Sequence, residues 1–290
     1  MVRRELLTGA LAGTLGAVLL GAAHAASAGP ITVRPSPPYT LERSLVTQVE
    51  TPTGRHYQLM VAWPEGEPPP GGWPVLYVLD GDDNFAAAVT TARRLAKAGA
   101  RSGVEPGVIV GVASEDLARR VLDYTPAAPG YAIPAGAPAS GLATGGADAF
   151  LDILCNVIQP QIAGHWRIDP KRQTLLGHSF GGLLALHALA VRPGQFQTYA
   201  AVSPSLWFGD GVVARELEAA KPPASVLIAA GDKEGGPGGR GPGAEALAAS
   251  LKAAGVETRF LPLPGQTHGG TMFASLAEAV ALAFRPADAR

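Results

Sequence analysis

Cysteine is almost absent from this sequence. Cys155 is the only one among 290 residues, so no disulfide can form within the chain. The stretch AFLDILCNVIQ around it has the apolar spacing of an amphipathic helix, which predicts a small buried side chain rather than a reactive thiol. Charge is also sparse, since charged residues make up 16% of the chain and the formal net charge is −1. The absence of a like-charge cluster argues against a nucleic-acid partner or a polybasic membrane contact.

A long apolar run occurs only near the amino terminus. Arg3 and Arg4 precede a Gly/Ala-rich apolar segment at 6–23, and the small-residue sites AHA and ASA follow it. This order is typical of a secretory signal, and the arginine pair resembles a twin-arginine export signal, with a Sec signal as the alternative. The sequence therefore predicts a signal peptide at 1–28, a mature chain at 29–290 and export to the periplasm or the exterior.

Strand and helix patterns alternate through the rest of the chain. RSLVTQVETPTGRHYQLMVAWPE predicts an antiparallel hairpin with its turn at 52–54. Short continuous apolar runs, typical of buried parallel strands, follow at WPVLYVLDG, GVIVGVAS, RQTLLGH, YAAVSPS, SVLIAAG and VETRFLPLPG. Helical spacing occurs at 84–98, 148–162, 179–191, 212–220, within GAEALAASLKAAG and at 272–284.

This order predicts an α/β fold with one large domain. The central sheet is expected to be mostly parallel, with an antiparallel N-terminal hairpin and helices on both faces. We find no internal repeat and no linker that divides residues 29–290. Residues 115–146 are poor in aliphatic side chains and rich in Pro, Gly and Ala, which predicts a rim or lid beside a site.

The stretch GHSFG carries the most direct prediction of chemistry. Residues 177–181 fit the pattern Gly-x-Ser-x-Gly between an apolar strand and a helix. A sharp turn there exposes the serine hydroxyl above the sheet, and the flanking glycines avoid collisions with neighbouring backbone. The N–H groups of the following helix favour a developing anion. Ser179 is therefore the predicted nucleophile, and the alternative is a glycine-rich packing turn with a serine cap.

A serine nucleophile needs a base, and chain order selects one of the six histidines. In hydrolases with this turn the order is serine, acid, histidine. His268 follows the last predicted strand and is the predicted base, with an exposed loop histidine as the alternative. GDKEGG offers two acids. Glu234 is preferred because it stands three residues past Gly231, which ends the preceding strand, and Asp232 remains the alternative.

An oxyanion needs two N–H donors. The amide of Phe180, directly after the predicted nucleophile, is the first. The second is expected from the loop after VLYVLDG, at Asp82 or Gly81. The carboxyls of Asp80, Asp82 and Asp83 could instead bind a metal ion, but Gly-Asp-Asp-Asn also suits a tight turn and a helix cap. We expect neither a metal nor a cofactor.

Several stretches together resemble one family, namely VLYVLDGDDNF, RRVLDYTP, GADAFLDILCNVIQPQI, RQTLLGHSFGGLLALHAL and AAVSPSLWF. They resemble the "putative esterase" family of the α/β-hydrolases, and most closely the ferric-siderophore esterases that open catecholate trilactones of the enterobactin, salmochelin and bacillibactin type. The resemblance covers nearly all of the chain after residue 28. It implies the α/β-hydrolase fold, a nucleophile at Ser179 and a base at His268. The acid varies in this family, and some members act as Ser–His dyads.

The resemblance also implies a substrate-binding rim. The family's Arg-to-DYTP segment corresponds to residues 119–125. Arg119, Arg120 and Tyr124 are therefore expected at the substrate, where the two guanidinium groups would pair with catecholate oxygens and stack on rings. Trp207 and Phe208 follow a strand end on the same side, and we expect them to form an aromatic wall, with core packing as the alternative.

The predicted function is a serine esterase that acts on a small-molecule ester, with a ferric catecholate siderophore as the candidate substrate. The sequence departs from the family's pattern at 127–146 and at EGGPGGRGPG, so the natural ester stays open. An acyltransferase of the mycolyltransferase type and a general carboxylesterase are the catalytic alternatives. A non-catalytic binding protein on a hydrolase scaffold is the third, and the intact Ser/His/acid set argues against it.

Overall fold

The computed structural model describes residues 37–51, 54–137, 139–220, 223–234 and 243–286. The predicted signal peptide at 1–28 and most of the hairpin turn lie outside these ranges. An N-terminal unit ends at Thr40, and its described residues 37–40 contain no helix or strand. The chain from Leu41 onward forms a second compact unit.

Eight strands of the described residues form one sheet in the order β1-β2-β4-β3-β5-β6-β7-β8. Strands β3 to β8 are parallel, whereas β1 and β2 form the expected antiparallel hairpin, which joins the sheet through an antiparallel β2–β4 pairing. The strands are β1 Ser44–Glu50, β2 His56–Ala62, β3 Trp73–Leu79, β4 Val108–Val112, β5 Ile168–His178, β6 Thr198–Val202, β7 Ser225–Gly231 and β8 Glu257–Leu263. The prediction of a mostly parallel sheet with an antiparallel N-terminal hairpin is confirmed.

Helices connect the parallel strands and cover both faces of the sheet. They are α1 Gly81–Ala96, α2 Leu117–Tyr124, α3 Ala147–Ile153, α4 Gln159–His165, α5 Phe180–Val191, α6 Val212–Ala219, α7 Ala244–Ala253 and α8 His268–Ala283. A π-helical turn at Leu154–Ile158 joins α3 to α4, and short 3-10 turns lie at Gly99–Arg101 and Phe208–Asp210. No helix in the described ranges is both long and apolar enough to cross a membrane.

The apolar strands have this composition because both of their faces are buried. All seven residues of β3 are buried. Val75, Tyr77 and Leu79 contribute to one hydrophobic cluster, and the alternating Leu76 and Val78 contribute to the cluster on the opposite face. Strand geometry directs successive side chains to opposite faces, so a continuous apolar run fills two cores at once.

The helical segment around Cys155 is as expected, and its thiol is buried. Burial raises the pKa of this thiol to about 11, so it stays protonated near neutral pH. Helix α8 begins four residues before the predicted start, at His268 rather than Met272. The prediction missed this turn because Gly269 and Gly270 are poor helix formers in isolation.

The predicted rim at 115–146 has two different parts. Its first part contains α2, and its second part, from 127 to 146, contains no helix or strand among its described residues. This second part is nevertheless anchored, because Ile133 and Ala139 are buried in the core and the amide of Gly146 donates to the carbonyl of Leu122. The rim is therefore packed against the body of the protein in this structure.

Candidate active site

Ser179 stands alone between the last residue of β5 and the first residue of α5. Its backbone has φ +60° and ψ −117°, a conformation that a non-glycine residue rarely adopts. A Cβ at Gly177 would overlap the carbonyl group of Gly181, and a Cβ at Gly182 would crowd the carbonyl of Val202. The glycines thus permit a turn that is too tight for side chains, and this turn holds the serine at the carboxyl edge of the sheet.

Three predicted residues meet at this edge. The Oγ of Ser179 lies 3.0 Å from Nε2 of His268, and Nδ1 of His268 lies 3.0 Å from Oε2 of Glu234. In the arrangement that satisfies both contacts, His268 carries its proton on Nδ1 and donates it to the carboxylate. Its Nε2 then accepts the hydrogen bond of the serine hydroxyl, which is the arrangement required of a general base.

Glu234 is held so that it remains ionised. Burial alone would raise its pKa, but hydrogen bonds from His268, Ser203 and the Gly231 amide bring the pKa below its usual value. The Ser203 hydroxyl donates to Oε1 at 2.6 Å, and the Gly231 N–H donates to the same oxygen at 2.5 Å. Asp232, the alternative acid, instead accepts from the Gly265 amide at 2.7 Å and so holds the neighbouring turn.

The sequence did not predict the hydroxyl groups behind this acid. Ser203 is 3% exposed, has φ +45°, and its Oγ lies 2.7 Å from the Oγ1 of Thr271. Thr271 donates to the carbonyl of His268 at 2.8 Å, so the same network contacts both Glu234 and His268. Ser205 places its Oγ 3.4 Å from that of Ser179. These serines stand in the quoted stretch AAVSPSLWF, but their spacing carries no signal for a partner about 30 residues away.

His178 contacts the predicted base from the other side. Its Nε2–H donates to the backbone carbonyl of His268 at 2.8 Å, and the two imidazole rings lie 4.7 Å apart. Burial, and next the nearby charge of His268, lower the pKa of His178 to about 4. His178 is therefore neutral near pH 7 and adds no charge beside the reaction centre.

The expected oxyanion donors lie at two helix N-termini. Phe180 is the first residue of α5, while Gly81 and Asp82 begin α1, and amides at these positions have no acceptor within their own helix. The two turns are close, since a Cβ atom added to Gly181 would lie 3.5 Å from Oδ2 of Asp80. This arrangement can direct two N–H groups at one substrate oxygen.

The rim arginines are engaged in internal ion pairs. Arg120 donates to both carboxylate oxygens of Asp80, at 2.6 and 2.8 Å, and reaches the carbonyl of His178 at 3.3 Å. Arg119 lies 2.6 Å from Asp123 and donates to the hydroxyl of Tyr57 at 2.7 Å. Both arginine side chains are only 19% exposed. Their placement differs from the expected free anion-binding rim, because each guanidinium group already has a carboxylate partner.

The interpretation of Tyr124 as a substrate contact is wrong. This residue is 1% exposed, and its ring packs against Phe150. Its hydroxyl contacts the amide of Asp80 and the hydroxyl of Ser114. The residue lies at the end of α2 on the side that faces the core, so it supports the turn before α1 and cannot reach a ligand.

The aromatic wall is present in part. Trp207 is half-buried and contacts the rings of Phe180 and Phe208 at 5.7 and 6.4 Å between centroids. Phe208 itself is fully buried, and its ring also contacts Tyr131 of the rim. Of the two predicted aromatics, only Trp207 can offer surface to a ligand. The carboxyls of the Asp80–Asp83 turn do not form a metal-binding group, and the part of the chain that the structure describes contains no cluster of three or more metal-ligating side chains.

Comparison with known proteins assigns the family. A family model described as "Putative esterase" matches residues 51–254, which is more than two thirds of the sequence. The chain belongs to this family. The resemblance that the sequence motifs indicated is thereby confirmed.

Similar proteins support the same assignment for this esterase. The ferri-bacillibactin esterase BesA of Bacillus subtilis is 29% identical over 248 residues, which cover 80% of this chain and 86% of that protein. The siderophore triacetylfusarinine C esterase of Aspergillus fumigatus is 35% identical over 197 residues, which cover 64% of this chain and 63% of that protein. The crystal structure of the BES protein from Bacillus cereus has a TM-score of 0.76 and 27% identity, covering 87% of this chain and 99% of that one. The protein is thus an esterase with the α/β-hydrolase fold.

Proposed function

We propose that this esterase hydrolyses the ester bonds of a siderophore through a Ser179–His268–Glu234 relay. The observation that carries the catalytic part is the pair of 3.0 Å contacts that link the three side chains in sequence. The substrate class is supported by the siderophore esterases to which the chain is similar.

The geometry supports a two-stage reaction. Ser179 Oγ attacks the ester carbonyl carbon while His268 Nε2 takes the hydroxyl proton, and the carbonyl oxygen becomes an oxyanion held by the amides of Phe180 and of Asp82 or Gly81. When the tetrahedral intermediate collapses, the ester C–O bond breaks and the proton on His268 passes to the departing alcohol. His268 then takes a proton from water, whose oxygen attacks the acyl carbon. When this second tetrahedral intermediate collapses, the bond to Ser179 Oγ breaks, the proton on His268 passes to Oγ, and the acid is released.

Glu234 serves this cycle without reacting. Its carboxylate fixes the Nδ1–H form of the imidazole and stabilises the imidazolium that forms twice per turnover. Its own hydrogen bonds to Ser203 and the Gly231 amide keep it oriented and ionised. The neutral His178 holds the carbonyl of His268 and so limits movement of the base between the two half-reactions.

A hydrolysis screen tests the proposal. Purified protein would be assayed with p-nitrophenyl acetate and with ferric and iron-free siderophore trilactones, each beside Ser179→Ala. We expect release of acid and alcohol from at least one trilactone, and loss of that activity in the variant. Hydrolysis of the aryl ester without hydrolysis of any siderophore ester would contradict the substrate assignment but retain the esterase.

We also propose that residues 1–28 direct export of a catalytic domain at 29–290, on the strength of the arginine pair, the apolar run and the small-residue sites. A reporter fused after residue 28 should leave the cytoplasm. Lys-Lys in place of Arg3-Arg4 should block this if the twin-arginine route is used, whereas unchanged export would indicate the Sec route. A reporter retained in the cytoplasm would contradict export.

A further inference from the structure

A cleft lies on the hairpin side of the sheet, at the same edge as Ser179. It encloses about 550 Å³ and lies between the start of β2, the first turn of α1 and the connection from β4 to α2. Asp82, one of the candidate oxyanion residues, lines its wall. Because β2 runs antiparallel to β4, the start of β2 lies at the same edge of the sheet as Ser179. The cleft and Ser179 therefore lie at the same edge of the sheet, and Asp82 is common to the cleft wall and the proposed oxyanion site.

The cleft has many charged groups but no excess of positive charge. Arg55 and Arg119 line it together with Asp82 and Glu115. The guanidinium group of Arg119 is already paired with Asp123, 2.6 Å away. Two arginines thus face three carboxylates, so the site offers no net attraction to an anion. The charges that line this cleft therefore give it no electrostatic preference for a ferric catecholate.

The uncharged polar groups of the cleft are available to a ligand. Gln48 and Gln58 are direct partners in the β1–β2 register, and both side chains are exposed and line the cleft. Neither carboxamide forms a hydrogen bond with the described residues. A carboxamide provides both donors and acceptors, so this pair suits amide-like groups, which also donate and accept.

We propose that this cleft, which we term the hairpin cleft, is a subsite that binds an uncharged, hydrogen-bonding arm of the ester substrate, such as an amide, a hydroxamic acid or a hydroxamate whose charge is neutralised by iron. The inference rests on the proposed esterase function and specifies its substrate. Three monoanionic hydroxamates leave a ferric complex neutral, whereas three dianionic catecholates give it a strong negative charge. The hairpin cleft therefore favours hydroxamate-type esters over ferric catecholates.

The test uses two linear esters that differ only in the charge of their arms. One carries an acetamide at both ends, and the other carries a carboxylate at both ends, so either side of the ester can enter the cleft. Chromatography of the products gives kcat and KM, and p-nitrophenyl acetate, which has no arm, reports the reaction centre alone. We expect kcat/KM to favour the diacetamide ester by about tenfold, which corresponds to about 1.4 kcal/mol. Added salt should narrow this gap, because it screens the carboxylates.

Gln58→Trp fills the cleft without changing any catalytic residue, and Thr47→Trp is its control. Thr47 is exposed on the neighbouring strand and lies on the opposite face from Gln48, outside the cleft lining. Gln58→Trp should raise KM for the diacetamide ester about tenfold while p-nitrophenyl acetate stays within twofold. Thr47→Trp should leave both substrates unchanged.

Two results would overturn the subsite. One is a wild-type preference for the dicarboxylate ester, and the other is unchanged KM for the diacetamide ester in Gln58→Trp. Equal losses on all esters would show a structural effect and would also count against the subsite. A different result would contradict the esterase function itself, namely the absence of Ser179-dependent hydrolysis of p-nitrophenyl acetate by the wild type. The proposed subsite would then also be wrong, because it depends on that function.

Discussion

Removal of the charge on Glu234 tests whether this residue is the acid of the relay, which is the assignment that the sequence left open. The substitution Glu234→Gln keeps the size of the side chain and its ability to accept a hydrogen bond but removes the negative charge. The Oε2 atom lies 3.0 Å from Nδ1 of His268, which becomes positively charged in the transition state of the proposed reaction. The expected loss is therefore the attraction between the two charges.

The structure bounds the size of this effect. Two unit charges about 3 Å apart attract by about 1.4 kcal/mol in water and by about 5.5 kcal/mol at an effective dielectric constant of about 20. The Glu234 side chain is 13% exposed and that of His268 is 46% exposed, so the environment lies between these limits. A loss of about 3 kcal/mol follows, which lowers kcat by about 10²-fold.

The assay is steady-state hydrolysis of p-nitrophenyl acetate, with thermal unfolding to confirm that each variant is folded. Asp232→Asn is the matched control, because it removes a charge from the same loop while its side-chain oxygen can still accept from the Gly265 amide. We expect kcat of the control to stay within about threefold, since Asp232 does not contact His268. A larger loss of kcat in Asp232→Asn than in Glu234→Gln would identify Asp232 as the acid. Near-normal kcat in both variants would indicate a Ser–His dyad.

Two further predictions concern the groups that support the site. His178, whose pKa is lowered to about 4 from a usual 6.5, takes up its proton later than the unfolded chain does as pH falls. Between pH 6.5 and 4, the free energy of unfolding of the wild type should therefore fall by up to about 3 kcal/mol because of this group. Urea unfolding of His178→Asn should not show this part of the decrease. If the free energy of unfolding depends on pH identically in the two proteins, the prediction is wrong. Arg120→Gln leaves the carboxylate of Asp80, which is 6% exposed, without its bidentate partner, so unfolding should become easier by about 3 kcal/mol. The double variant with Asp80→Asn should recover part of that loss, and full additivity of the two substitutions would argue against the pair.

Features that depend on local sequence were predictable. The strand, the Gly-x-Ser-x-Gly turn and the following helix are contiguous, so one pattern placed Ser179 at the end of β5. Chain order then placed His268 and Glu234 after later parallel strands, whose carboxyl ends share one edge of the sheet. The buried strands were equally predictable, because a run such as WPVLYVL leaves no polar face.

Features that depend on distant partners were not predictable. Whether Arg120 is free or paired depends on Asp80, 40 residues earlier, and a count of charges in the sequence cannot show this contact. The burial of Tyr124 was unpredictable for the same reason, since it follows from the packing of α2 against the core rather than from the neighbours of Tyr124 in sequence. The support of Glu234 by Ser203 joins residues 31 positions apart, and neither spacing nor composition marks it.

Covalent trapping of the nucleophile is a direct test of Ser179 as the catalytic serine. A fluorophosphonate reacts with a serine whose hydroxyl is activated by a neighbouring base, and peptide mapping by mass spectrometry locates the adduct. We expect one adduct, on Ser179, formed together with loss of p-nitrophenyl acetate hydrolysis and absent from folded Ser179→Ala. An adduct on another residue, or hydrolysis that persists in folded Ser179→Ala, would contradict this assignment.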